Sequence, residues 1–170
     1  MDKNFKQLEY QKNQDGFEEQ IVQVHRVSKK TKGGNKIGFS VLMVVGNKNG
    51  KVGVGLGKAG DVSSSIKKGV NLAKKHVIEI PIVKGTIPFE FYIKLGAAKV
   101  LLKPAPPGSG VIAGGAVRSV VSLAGIENIS SKVLGTNNQA SNVYATIEAL
   151  KRLAERYKRE KERKVKNGVK

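Results

Sequence analysis

The sequence of 170 residues predicts an α+β protein of two units. A three-stranded antiparallel sheet with one helix comes first, and a two-layer ββαβα unit follows. Three observations predict it. Residues 18–27, 36–45 and 51–57 read as strands, the last two with apolar residues at every second position along one face, and Gly46-Asn47-Lys48-Asn49-Gly50 separates those two runs. A stripe of helical period follows: Val62, Ile66, Val70, Ala73 and Val77. Two prolines and Gly85 then punctuate Pro81–Pro88, and strand and helix patterns resume beyond them.

Residues 1–17 have no apolar period and are expected to form a flexible arm. The first unit occupies 18–81. Phe39, Val41, Met43 and Val45 line one face of its second strand. The Asn-Gly-rich segment closes a hairpin because Gly and Asn tolerate positive φ. In the third strand Val52, Val54 and Leu56 point one way, while Gly53, Gly55 and Gly57 leave the other face bare. Asp61 is the expected N-cap of a helix running to about Glu79. Its Lys67, Lys68, Lys74 and Lys75 gather on another side, either as a solvated face or as phosphate contacts. This order resembles double-stranded-RNA-binding domains, without the leading helix of that fold.

The second unit occupies 86–157 and the basic tail 158–170. Phe89 to Leu95 alternates as a half-buried strand, and Ala98 to Lys103 returns beside it. The loop Pro104–Gly110 opens into a helix over about 114–124, a strand follows over 128–134, and Asn137 or Asn138 caps the last helix. Val143, Ile147, Leu150, Ala154 and Tyr157 are its buried seam. From Lys151 onward ten basic residues meet three acidic ones, so the end is either a charged helix or a disordered arm, and RNA contact is expected of it over a merely solvated run.

The segment Val24–Lys36 is the most informative for function. It sets Arg26, Lys29, Lys30, Lys32 and Lys36 around Gly33-Gly34, and no Asp or Glu occurs between Glu19 and Asp61. Lys48, Lys51 and Lys58 fall in the same window. A pliable, strongly positive loop suits a polyphosphate backbone. The whole chain agrees, with 31 Lys+Arg against 13 Asp+Glu and a formal charge of +18. Aromatics are scarce and Trp is absent, which argues against base stacking as the main grip.

Other chemistries are poorly served. Without cysteine there are no disulfides, thiolate metal sites or Cys nucleophile, and two histidines cannot build a His-rich zinc site. The N-terminus resembles neither a secretory signal nor a transit peptide, and no apolar run approaches membrane-spanning length, so a soluble protein is expected. Gly55-Leu-Gly57-Lys-Ala-Gly60 spells the dinucleotide fingerprint, with Glu79 near the ribose-binding place. Its strand closes an antiparallel hairpin, whereas a Rossmann site needs parallel strands. The glycines are better read as allowing a backbone, protein or RNA, to approach closely. As a P-loop the stretch lacks the first Gly and the Ser or Thr after Lys58. Ser63, Ser64 and Ser65 have no base placed by a motif, and His25 and His76 have structural readings. Neither an enzyme nor a cofactor is expected.

Several runs together resemble the bacterial family of small-subunit ribosomal protein five. They are 24–34, 44–55, Gly57-Lys58-Ala59, Gly85-Thr86, 99–105, 108–118 and 134–138, in the family's order over roughly residues 18–153. The resemblance implies an N-terminal domain like a double-stranded-RNA-binding domain and a C-terminal α/β domain containing a left-handed βαβ crossover. It implies binding to small-subunit ribosomal RNA at the junction of head and body, beside ribosomal proteins four and eight. Roles in assembly and translational accuracy, near the messenger RNA entry channel in the cytoplasmic ribosome, come with it.

By position, the family's loop linked to spectinomycin response falls on Ser28, Lys29 and Lys32–Gly34, and its accuracy-linked contact with protein four on Gly110 and Arg118. The expected RNA-binding residues are therefore Arg26, Ser28, Lys29, Lys30, Lys32, Gly33, Gly34, Lys36, Lys51 and Lys58. Pro106-Pro107 departs from the small or acidic residues common in the family, and the tail after Leu153 lies where the family varies. Without the resemblance, a free-standing double-stranded-RNA regulator and a nucleotide-dependent enzyme are the alternatives.

Overall fold

The computed structural model describes residues 11–12 and 16–166. Most of the expected N-terminal arm and residues 167–170 lie outside that range. Within it the chain builds two sheets and three helices. The first sheet has strand order β1-β2-β3-β4-β5 and is antiparallel throughout. Its long strands are β2 (Glu18–Thr31), β3 (Gly34–Gly46) and β4 (Lys51–Ala59). The expected three strands are thus present, with the two-residue strands β1 (Gln11–Lys12) and β5 (Ile78–Glu79) added at the edges.

Helix α1 (Val62–Lys75) covers one face of this sheet. Asp61 caps it as expected, its carboxylate accepting the Ser64 N–H at 2.8 Å. The helix stops four residues short of Glu79. Ile78 and Glu79 instead extend and pair with Val52 and Lys51, satisfying the open edge of β4.

The bare face of β4 is where α1 sits. A Cβ on Gly53, Gly55 or Gly57 would collide with the carbonyl oxygens of Ala73, Gly69 and Ser65 respectively. These glycines therefore admit a protein backbone, and the strand that contains them is antiparallel to both neighbours. Both facts remove the dinucleotide reading.

The run Val41–Val45 is buried on both sides of the sheet. Val41, Met43 and Val45 join Val70 and Ala73 in the α1 layer, together with Phe17, Ile21, Val24 and Ile66. Leu42, Val44, Val52 and Val54 belong instead to the large core shared with the second half. A strand covered on two faces reads as continuous apolar sequence, as this one does.

The second sheet has order β6-β7-β9-β8. Its strands are β6 (Phe91–Leu95), β7 (Ala98–Pro104), β8 (Val111–Ile112) and β9 (Ile129–Val133). Helix α2 (Gly115–Ala124) connects β8 to β9, which run parallel and so form the βαβ crossover. Strand β8 was not expected; a two-residue pairing is too short to impose a period. Helix α3 (Gln139–Lys166) is capped by Asn138, whose side-chain oxygen accepts the Ala140 N–H at 3.0 Å. It continues nine residues past Tyr157, so the basic tail is helical as far as Lys166.

The halves meet at the β3–β4 turn. Lys48 N–H donates to the Leu123 carbonyl at 2.9 Å and Gly50 N–H to the Ala124 carbonyl at 2.8 Å. These are carbonyls at the C-terminus of α2, which lack partners within the helix. The turn between the halves is equally fixed, since the Gly85 carbonyl accepts the Glu127 and Asn128 N–H groups.

Candidate nucleic-acid interface

The basic segment expected as a pliable loop is a β-hairpin arm. Strands β2 and β3 pair without a break from Val24–Val41 to Thr31–Gly34, leaving only Lys32-Gly33 as the turn. The Thr31 hydroxyl donates to the Gly34 carbonyl at 2.7 Å, and Gly34 adopts a φ of 123°. That conformation closes the turn and disfavours any side chain there. Cross-strand pairing carried further than the apolar pattern did, because the arm's residues alternate polar with polar and show no core face.

Every residue from His25 to Ile37 is exposed. The register distributes the cations over both faces. Arg26, Ser28 and Lys30 lie on the face that carries Val24, whereas Lys29 and Lys36 lie on the other and pair directly with each other. His25, Ser40 and Lys58 form one row across three strands on that second face, so Lys58 adds to the base of the arm. Val27 and Ile37 are exposed apolar residues among the charges.

Nine of the ten expected RNA-binding residues thus lie along the arm or at its base: Arg26, Ser28, Lys29, Lys30, Lys32, Gly33, Gly34 and Lys36 on the arm and Lys58 at its base. Lys51 does not join them. It lies at the far end of β4, seven residues or roughly 23 Å from Lys58, and faces Glu79 across the ladder. Among the described residues no acidic side chain lies within ion-pair distance of any cation of the arm.

Gly110 and Arg118 are also neighbours. The Arg118 guanidinium donates to the carbonyl of Val111 at 3.1 Å, one residue from Gly110. Asn128, which the sequence reading did not single out, organises this loop. It is buried, and its side-chain oxygen accepts the Gly108 and Gly110 N–H groups at 2.9 and 3.1 Å. Both glycines have positive φ. The path through Pro106-Pro107 is a turn closed by Ser109 N–H donating to the Pro106 carbonyl at 3.2 Å. No sequence signal short of an alignment marks an Asn as a loop clamp twenty residues away.

Comparison with known proteins places the family. Residues 17–81 match the model for the N-terminal domain of ribosomal protein S5, and residues 93–163 the model for its C-terminal domain. The small ribosomal subunit protein uS5 of Thermotoga maritima is 50% identical over 148 residues, 87% of this chain and 81% of the relative.

The chain belongs to the ribosomal protein S5 family.

Other relatives agree with that membership. The uS5 protein of a Picosynechococcus species is 48% identical over 151 residues, 88% of this chain and 87% of its own length. The uS5c protein of Pyropia yezoensis is 52% identical over 139 residues, covering 81% and 80%. As a member of the S5 family the chain is a structural protein rather than an enzyme. No described helix is long and apolar enough to cross a membrane.

Proposed function

We propose that this protein is a structural constituent of the small ribosomal subunit that clamps ribosomal RNA electrostatically with the β2–β3 arm. The observation that carries the reading is the arm itself: exposed on both faces, basic on both faces, and without an acidic partner among the described residues. Backbone pairing fixes the strands that carry the cations, so only the side chains have to be ordered on binding. Phosphate neutralisation releases counterions, and six to ten contacts would cost roughly three to five decades of affinity between 50 and 200 mM salt. Selectivity comes from RNA shape, which a paired finger can follow.

The finer assignments rest on the family resemblance. They are a place at the head–body junction in the cytoplasmic ribosome, contacts with ribosomal proteins four and eight, an influence on accuracy, and proximity to messenger RNA. Gly110 on the clamped loop and Arg118 on α2, which donates to the neighbouring Val111 carbonyl, support the protein-four contact by their adjacency.

The test is the salt dependence of binding to small-subunit ribosomal RNA by the K29A/K30A/K32A variant. A weaker affinity and a flatter slope are expected. A slope equal to that of the unmodified protein overturns the clamp.

A further inference from the structure

Arginine is used sparingly and unevenly in this chain. There are six, and four of them fall on α3 as Arg152, Arg156, Arg159 and Arg163. Spacings of four, three and four residues place them within an arc of about 60° on the helix, in a line roughly 16 Å long. Lys151, Lys158, Lys161 and Lys164 fall elsewhere around the same helix.

The first two arginines are held from within. Arg152 pairs with Glu148 at 2.7 Å and Arg156 with Glu160 at 3.2 Å. The Arg156 guanidinium also sits 4.9 Å from the centre of the Phe89 ring, which contacts Tyr157. Arg159 and Arg163 have no acidic partner among the described residues. Beyond Tyr157 the helix is largely exposed, at Lys158, Arg159 and residues 161–165. A helix polar all round persists by bridging to another surface or by many ion pairs along its length. Among the described residues one such pair, Arg156–Glu160, reaches into the segment. Attraction to the helix C-terminus accounts for cations in the last turn only, and Arg152 to Arg159 lie before it.

We propose that the arginine stripe of α3 is a second RNA-binding surface, laid along a phosphate backbone and separate from the β2–β3 arm. The proposal rests on the reading of the chain as a ribosomal-RNA-binding protein. Guanidinium forks match phosphate oxygens in pairs. A straight line of charge suits a polyanion whose phosphates recur every few ångströms better than it suits one cluster of carboxylates. Segment 151–166 holds nine basic residues against three acidic ones, in keeping with a polyanionic partner.

The test uses the full chain and transcribed small-subunit ribosomal RNA, with R159Q/R163Q, K161Q/K164Q and K29A/K30A/K32A compared by salt titration. R159Q/R163Q is expected to lower the slope of log affinity against log salt by about two, and K161Q/K164Q by clearly less. An unchanged slope for the arginine pair, or an equal loss for the lysine pair, overturns the stripe. The arm triple reports on the proposed function by itself: if it alone keeps the full slope, the arm fails and the stripe stands. Absence of salt-dependent binding by the unmodified protein overturns both. Poly-glutamate is the probe for an acidic protein partner; lost affinity for it with none lost for RNA also overturns the proposal. Amide exchange over residues 158–166 of the unmodified protein needs no variant. Slowing on RNA addition is expected, and unchanged exchange counts against the stripe.

Discussion

Lys29 and Lys36 face each other directly across the β2–β3 ladder, on the same side of an exposed arm. Like charges so placed repel, at a cost of a few tenths of a kcal/mol in water. The isolated fold gains nothing from the pair, whereas an RNA backbone would turn the repulsion into attraction for both. Replacing Lys36 with Thr, a residue suited to an exposed strand, is therefore expected to act in opposite directions. Denaturant unfolding of the free protein should show a slight gain that shrinks as salt is added, and RNA titration should show weaker binding. A gain or a loss in both would separate the pair from RNA binding.

The glycines of β4 hold α1 against the sheet. Gly57→Ala drives a methyl group into the Ser65 carbonyl and Gly55→Ala into that of Gly69. Backbone on both sides cannot yield as a side chain would, so each is expected to cost about 1–3 kcal/mol or more. Denaturant unfolding measures the loss. Calorimetry with NAD or ATP should show no binding before or after substitution.

Asn128 gives one side-chain oxygen to two loop N–H groups. Asn128→Ala leaves both donors without that partner and is expected to destabilise the protein by roughly 2 kcal/mol. Amide exchange at Gly108 and Gly110 should accelerate more than exchange in β9. Uniform acceleration would mean that the side chain supports the whole domain rather than the loop.

The Ser64 N–H, with the Ser64 hydroxyl, holds the Asp61 carboxyl below its ordinary value of 3.8. A carboxyl lowered in the folded state contributes stability that is present above 3.8 and lost as pH falls through the lower, folded value. Asp61→Asn keeps a capping oxygen and removes the titration. The thermal midpoint of Asp61→Asn should thus lie below that of the parent near neutral pH and converge with it in acid. Asp61→Ala should lower the midpoint by a few degrees at neutral pH.

Much of the fold was legible because its elements follow local rules. Asp61 and Asn138 cap helices where the pattern placed them, and Val52, Val54 and Leu56 face the core opposite a glycine row. The errors fall where pairing is decided at a distance. Helix α1 ends early because β4 has an open edge that Ile78 and Glu79 complete. Strand β8 exists because β9 offers a parallel neighbour. Among the candidate site residues, charge and glycine content drew attention to the arm, but could not show that Lys51 sits at the other end of its strand.

By itself the sequence determined the charge, the order of strands and helices, and the residues available to meet phosphate, since these follow from composition, periodicity and turn chemistry. Only the tertiary structure decided that the basic segment is a two-sided β-hairpin finger, that the β4 glycines serve α1, and that Asn128 shapes the Gly110 loop. The physical reason is the same in each case. Backbone hydrogen bonds and close contacts join residues far apart in the chain, and no local pattern records which distant partner will satisfy them.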